Sequence, residues 1–197
     1  MSDDQLGAIR IKRLSHAAIR VKDLARQTEF YTSSLGLEMV DQSSGRCYLR
    51  ARESHHHVVE LLTQQNGANH ASFEVADDAE LDRAKAILFR QGSPILVGPA
   101  ADIEPGIRRL LRFKDPEENL IELVSTVSEI SSGYPEKPVK PLSLNHAVLF
   151  AGPGQTTEFL SNCPGDARHR YGPGINDLSP MQSKPSFTRF YSTTSTR

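Results

Sequence analysis

The sequence predicts an α+β protein built from a repeated β-α-β-β-β unit, and three observations carry that expectation. A Ser or Asn, then His, then Ala, opens an apolar alternating run three times: "RLSHAAIRV" from Arg13, "GANHASFEV" from Gly67 and "SLNHAVLF" from Ser143. The first two openings are each followed by an amphipathic helical pattern. Three short strand-like runs then follow each helix, so the element order itself repeats.

The elements take their places in order. In "RLSHAAIRV", Leu14, His16, Ala18 and Arg20 alternate with Ser15, Ala17, Ile19 and Val21, which is the period of a strand. Asp23 precedes "LARQTEFYTSSL", where Leu24, Thr28, Tyr31 and Leu35 mark one helical stripe and Gly36 ends it. Strands are expected over 37–41, 46–51 and 56–63, separated by turns at "QSSG" and "RESH". The second unit repeats the pattern with a strand over 70–76 and a helix over 77–92. Asp77 and Glu80 read as a capping box, and Gly92 as the stop. Strands over 93–98, 107–113 and 119–125 complete it. Residues 13–63 and 70–125 thus form two units of one domain spanning 9–128.

Beyond this domain, "EISSGYPEKPVKP" (129–141) reads as a linker. Residues 142–160 restart the unit, and "TEF" recurs at 157–159 as at 28–30, so this stretch is expected to begin an incomplete third module. From Ser161 to Arg197, 17 of 37 residues are Ser, Thr, Pro or Gly, and neither period survives. That tail is expected to be disordered. The apolar residues Leu144, Ala147, Val148 and Leu149 would leave an unpaired edge, which points to a homodimer.

Composition narrows the class of function. With 38% apolar and 24% charged residues and no long apolar run, the chain is expected to be soluble, and its start lacks the basic-then-apolar order of a secretory signal. A cytoplasmic location is the resulting expectation. A net charge of −1 offers no basic field for nucleic acid or an acidic membrane, which leaves small-molecule chemistry. Cys47 and Cys163 show no CxxC spacing and no disulfide framework.

Four residues suggest a metal site. His16 and His70 lie on the polar side of their strands, and Glu60 and Glu122 interrupt otherwise apolar runs, "HHVVELLT" and "NLIELVS". A carboxylate so placed is costly unless it is paired or binds a cation, and two imidazoles with one or two carboxylates make a borderline-hard ligand set. Each residue taken singly is more readily a hydrogen-bonded core group or one facing water. Their equivalent places in the repeat argue for a joint role. Arg108 and Arg112, which share a face by alternation, and Glu74, on the His70 side, are weaker candidates for substrate contact. For the arginines the competing reading is a solvated strand edge, and for "HHH" at 55–57 it is an exposed cluster. No catalytic acid or base can be assigned.

"SHAAIRVKDLARQTEFYTSSLGLEMV", "HHVVELL", "NHASFEV" and "FKDPEENLIELV" resemble the strand signatures of the vicinal oxygen chelate superfamily, which includes extradiol dioxygenases, glyoxalase I and fosfomycin- or bleomycin-resistance proteins. The resemblance implies paired βαβββ modules whose mixed sheet curls into a cup, helices outside, around a divalent metal. It carries the metal-ligand role to His16, Glu60, His70 and Glu122. Within the superfamily the sequence is most similar to the amino-terminal domain of two-domain extradiol dioxygenases, and His146 then matches the first metal ligand of their second domain. Fe(II) is the implied metal, with Mn, Ni or Zn as alternatives. Three readings follow: an extradiol-dioxygenase-like oxidoreductase acting on a catechol-type aromatic, truncated and impaired; a glyoxalase-like or resistance-type metalloenzyme; and a non-catalytic binding or remnant domain. Glu60 separates the first two. As a fourth ligand it suits proton transfer on a chelated substrate, whereas two His and one carboxylate leave room for a catecholate and dioxygen.

Overall fold

The repeat folds as two copies of one topology. The computed structural model describes residues 9–148. The first unit comprises β1 (Ile11–Val21), α1 (Leu24–Glu29), β2 (Glu38–Ser43), β3 (Arg46–Arg50) and β4 (Val59–Thr63). The second comprises β5 (Gly67–Val75), α2 (Asp78–Arg90), β6 (Ile95–Ala101), β7 (Arg109–Lys114) and β8 (Leu120–Val124). All eight strands join one curved, unclosed sheet in the order β2-β3-β4-β1-β5-β8-β7-β6. Within each unit the first strand pairs parallel with the last, and β1 meets β5 antiparallel at the seam. The order is therefore symmetric about the seam.

That symmetry explains the burial of β1. Ser15, His16, Ala17 and Ala18 are buried consecutively, both faces alike, because helices cover one side and the hollow of the sheet encloses the other. On the helix side lie two apolar clusters, one built from Leu81, Ala84, Leu88, Leu111, Phe113 and Leu123, the other from Val21, Leu37, Leu49, Val59 and Leu61. The inner face carries the polar groups. Burying the apolar side chains of the two clusters stabilises the sheet by about 1.5–3 kcal/mol each, before entropy is subtracted.

The helices depart from the expected patterns in detail. Asp23 caps α1 by accepting from Arg26 N, but the α-helix stops at Glu29 and continues as a π-turn, Phe30–Ser34. Thr32 and Ser33 hydroxyls donate back to the Thr28 and Glu29 carbonyls, and Leu35 N reaches Phe30 O five residues back. This hydroxyl competition widens the turn while Leu24 and Tyr31 stay on the core. Asp77 caps α2 through Glu80 N. Glu80's carboxylate, however, is engaged by the Arg10 guanidinium and backbone N–H and by Arg83, tying the lead-in of β1 to α2.

The segment read as a linker lies against the first unit. Arg52 N and Glu53 N donate to Pro141 O and Leu142 O, and Ile130 N donates to Ser54 O. Buried Arg50 pairs with Glu38 at 2.6 Å and donates to Gly133 O, while Tyr134 OH donates to Gly36 O. Residues 142–148 adopt no strand, contrary to the restart expected there, and Leu144 packs on the apolar cluster of Val21, Leu37 and Leu49 instead. With Leu144 turned inward, the apolar stretch has lost the residue that would have begun an exposed edge. The rest of the third copy, the recurring "TEF", Cys163 and the tail lie outside the described residues.

Gly36 is the closest contact of this strap. Its φ is +79°, and a Cβ there would fall 2.0 Å from Val139 O. Gly36→Ala should lower the unfolding free energy by about 1–3 kcal/mol and open the strap to a glutamate-specific protease at Glu136, since Lys137 and Lys140 both precede proline and resist trypsin. Urea denaturation and timed proteolysis check this, and unchanged values in both would contradict the packing described.

Candidate functional site

The strand register brings the four sequence candidates to the floor of the hollow. Ala18 on β1 is flanked by Glu60 on β4 and His70 on β5, and Ser72 on β5 is flanked by His16 on β1 and Glu122 on β8. Two small residues, each two places beyond a His, leave the room into which the four longer side chains converge. His16, Glu60 and Glu122 are fully buried and His70 nearly so. His16 Nε2 lies 3.1 Å from His70 Nε2 and 3.5 Å from Glu122 Oε1, and the latter is 3.8 Å from His70 Nε2.

A fifth group, absent from the sequence reading, completes the cluster. Glu104, on the β6–β7 loop, reaches in with Oε1 at 3.1 Å from both His16 Nε2 and His57 Nε2. One ligand atom from each of His16, Glu60, His70 and Glu104 lies within 4.8 Å of every other. The only sequence trace of Glu104 is loop length: seven residues (102–108) separate β6 from β7, whereas two (44–45) separate β2 from β3. An acid in "DIEPGIR" otherwise looks like any solvated turn residue.

Five other sequence candidates find settings that the sequence does not indicate. The "HHH" cluster is not exposed: His55 and His57 are buried and His56 half-buried, because the β3–β4 connection folds inward and His57 stacks against Tyr48 and His16. Arg112 is no solvated edge residue. It faces inward, donating from Nη2 to Glu104 Oε2 at 2.7 Å and from Nε to Glu122 Oε2 at 2.6 Å. Arg108 does not share that setting. It lies just before β7, mostly exposed, and pairs with Asp78 of α2. Glu74 is occupied by Lys12 and Arg13 at 2.8 and 2.6 Å. His146 is exposed in the irregular segment.

Each of the two strand carboxylates is anchored at one oxygen and free at the other. Arg46 holds Glu60 Oε1 at 2.5 Å, and Arg112 holds Glu122 Oε2. Glu60 Oε2 and Glu122 Oε1 are buried without a hydrogen-bond partner; Ser72 Oγ lies near Glu122 but outside bonding geometry. An orphaned carboxylate oxygen in a dry interior is costly, and a cation is the partner that would satisfy it. Asn69 Oδ1 lies 2.8 Å from His70 Nδ1, so a proton on Nδ1 leaves the Nε2 lone pair directed into the cluster. The donor set therefore fits a divalent cation of borderline character.

Protonation follows the same crowding. Burial alone would lower His16, but its hydrogen bond to Glu104 and the charges of Glu104, Glu122 and Glu60 raise it. Burial and the charge of Glu104 raise Glu60 and Glu122. Glu104 itself is held well below the usual carboxylate range, since hydrogen bonds from His16 and His57 outweigh its burial. Burial, then the charge on His16, lowers His70 and brings His57 down to about 4. A proton on His16 thus stands where the carboxylates call for positive charge.

A separate cleft of about 380 Å³ touches His70 and Asn69, with Arg20, Glu118, Ala147 and Val148 among its walls. It includes neither His16 nor any cluster carboxylate. No helix among the described residues is long and apolar enough to cross a membrane.

The model of the Glyoxalase/Bleomycin resistance protein/Dioxygenase superfamily matches residues 13–123, and the chain belongs to that superfamily. Among curated proteins it is similar to biphenyl-2,3-diol 1,2-dioxygenase 3 of Rhodococcus globerulus, at 25% identity over 121 residues covering 56% of this chain and 62% of the relative. It is also similar to biphenyl-2,3-diol 1,2-dioxygenase of Sphingomonas paucimobilis, at 25% identity over 136 residues covering 68% and 45%. Homoprotocatechuate 2,3-dioxygenase of Arthrobacter globiformis superposes with a TM-score of 0.72 at 23% identity, covering 81% of this chain and 51% of that one. The Brevibacterium fuscum enzyme with 3,4-dihydroxyphenylacetate superposes with the same score and identity, covering 81% and 52%. These structural likenesses show a common fold. The chain spans less than two thirds of the length of the curated relatives, and about half that of the solved structures.

The histidines predict how stability follows pH in protein stripped of cations. His57 is lowered, so its contribution is complete above about pH 6.5 and is lost as pH falls toward 4, on the order of 3 kcal/mol. His16 is raised, so its contribution is present below about pH 6.5 and is lost as pH rises through its elevated pKa. Urea midpoints in chelator should therefore fall between pH 6.5 and 4.5, less steeply for His57→Gln. An identical acid slope in that variant would contradict the assignment.

Proposed function

We propose that the chain is an extradiol-dioxygenase-like oxidoreductase domain that holds Fe(II) and acts on a catechol-type aromatic. His16, His70, Glu60 and Glu122 would hold the ion, with Glu104 beside them. One observation carries this reading: two buried carboxylates each keep an oxygen without a partner, facing two imidazole nitrogens 3.1 Å apart. A bound ferrous ion would supply Lewis acidity toward vicinal oxygens and the redox capacity to use dioxygen.

The chain's own groups have distinct parts in this reading. Arg46 and Arg112 fix the carboxylate rotamers, and Asn69 fixes the His70 tautomer. His57, neutral at pH 7 and packed against Tyr48, lies with Nε2 3.1 Å from Glu104 and with Nδ1 3.0 Å from His56 Nδ1, so it positions that carboxylate beside the ion. Burial and the charge of Glu60 push the Tyr48 hydroxyl up to about 12, so it stays protonated beside His57.

Glu60 supports a second reading. Its place within ligand range of His16, His70 and Glu104 gives a four-ligand set of the kind that suits glyoxalase-like proton transfer on a chelated substrate.

Anaerobic loading with Fe(II), followed by oxygenated catechol, should give a yellow ring-cleavage product. His16→Ala and His70→Ala should each bind iron at least tenfold more weakly than wild type, read by elemental analysis over a range of free iron. Product formation that persists in Glu60→Gln favours ring cleavage. Full iron occupancy with no oxygen uptake on any catechol would overturn the dioxygenase reading. Because His16 is raised, cation binding near pH 7 should release a proton, read from calorimetric enthalpies in buffers of different ionisation heat. Enthalpies independent of buffer would contradict the role of His16.

A further inference from the structure

We propose that Glu104 is an exchangeable internal carboxylate occupying an anion subsite made by Arg112 and His57, and that a ligand bearing its own carboxylate displaces it. The subsite lies beside the proposed cation site and deepens that reading with respect to substrate class, but the groups that form it are in place without a cation.

Glu104 is bound as a small acid would be. Arg112 Nη2 donates to Oε2 at 2.7 Å, and His57 Nε2 lies 3.1 Å from Oε1, so both oxygens are engaged by groups from other elements, β7 and the β3–β4 connection. Arg112 does not depend on Glu104 for its place, because its Nε remains on Glu122. His57 is likewise held from another side, by Tyr48. Removing the Glu104 side chain would therefore leave a formed fork, a guanidinium N–H and an imidazole nitrogen, in a dry recess.

The loop that delivers Glu104 is constructed differently at its two ends. Toward β7 it is fixed: Ile107 is buried against Leu110, Val124 and Val127, and Ser128 N donates to Gly106 O at 2.7 Å. Toward β6 it is exposed at Ala101, Asp102 and Ile103, and Asp102 holds a φ of +56°, which an L residue adopts at a cost. Gly106 closes the turn at φ +73°, where a Cβ would lie 2.2 Å from His56 Cγ. A strained, exposed arm next to a fixed one lets Glu104 swing out about the Asp102 end while the subsite stays in place. Ile103, an exposed apolar residue beside Glu104, would move with it.

Charge favours the exchange. Glu60, Glu104 and Glu122 stand against the fixed positive charges of Arg46 and Arg112. Replacing Glu104 by an incoming carboxylate keeps the balance of the recess, whereas a neutral ligand that displaced Glu104 would remove one negative charge from beside Arg112 and leave nothing in its place.

The test uses the full chain in chelator, with benzoate as the probe and benzamide as its neutral counterpart, measured by calorimetry. Glu104→Ala should bind benzoate at least tenfold more tightly than wild type and tenfold more tightly than benzamide, and Glu104→Ala/Arg112→Gln should lose that preference. In wild type, saturating benzoate should raise amide hydrogen exchange across 101–107, where Ile107 N donates to Glu104 O, while leaving 108–113 unchanged. If Glu104→Ala does not fold, the wild-type exchange experiment and Glu104→Gln, expected to gain benzoate affinity, decide the matter. Equal binding of benzoate and benzamide, or no change in exchange at 101–107, overturns the proposal. Since no metal is present, these results are independent of whether the chain binds iron: benzoate binding without iron retention would sink only the metal reading.

Discussion

Three buried carboxylates that cannot all be satisfied by protein donors are the constraint on which the rest of this structure depends. Glu60, Glu104 and Glu122 converge on one hollow with no exposed surface between them. Arg46 and Arg112 neutralise part of that charge from the neighbouring strands, and the remainder falls on His16, whose proton is held against the pull of burial. Placing like charges together in a low-dielectric interior is worth its cost only if something positive is meant to join them. A proton on imidazole is the smallest such partner, and a divalent cation is the one that would also use the free carboxylate oxygens.

The sheet exists in a form that makes this crowding achievable. Two units related about the β1–β5 seam each contribute a His from the first strand and a Glu from the last, and the parallel pairing within each unit brings those strands side by side. Ala18 and Ser72 keep the floor open. Meanwhile the apolar clusters under α1 and α2 carry the stability, so the inner face is released from packing and can hold groups that cost rather than contribute.

Much of this was legible in the sequence because it rests on period and repetition. Alternation placed His16 and His70 on the polar side, the doubled element order gave the two units, and carboxylates inside "VVELL" and "LIELV" stood out against apolar neighbours. What escaped was decided by loops and by tertiary charge. Glu104 sits in a turn whose composition says solvent, and only the chain path carries it inward. His55 and His57 begin a stretch that reads as polar, yet the β3–β4 connection closes over them. Arg112 looked like an edge residue because its partners, Glu104 and Glu122, are brought to it by the register and the loop. The linker-like segment over 129–141 is irregular, as its Pro- and Gly-rich composition implies, while Arg50 and Tyr134 supply contacts to the first unit that composition does not record.

X-ray absorption at the iron edge of anaerobically loaded protein tests the central claim most directly. The account predicts a first shell of nitrogen and oxygen only, with the multiple-scattering signature of two imidazoles that falls to one in either His16→Ala or His70→Ala at matched occupancy. Iron that keeps two imidazoles in both variants, or a shell of water oxygens alone, would mean that the cluster is closed by its own salt bridges and holds no cation.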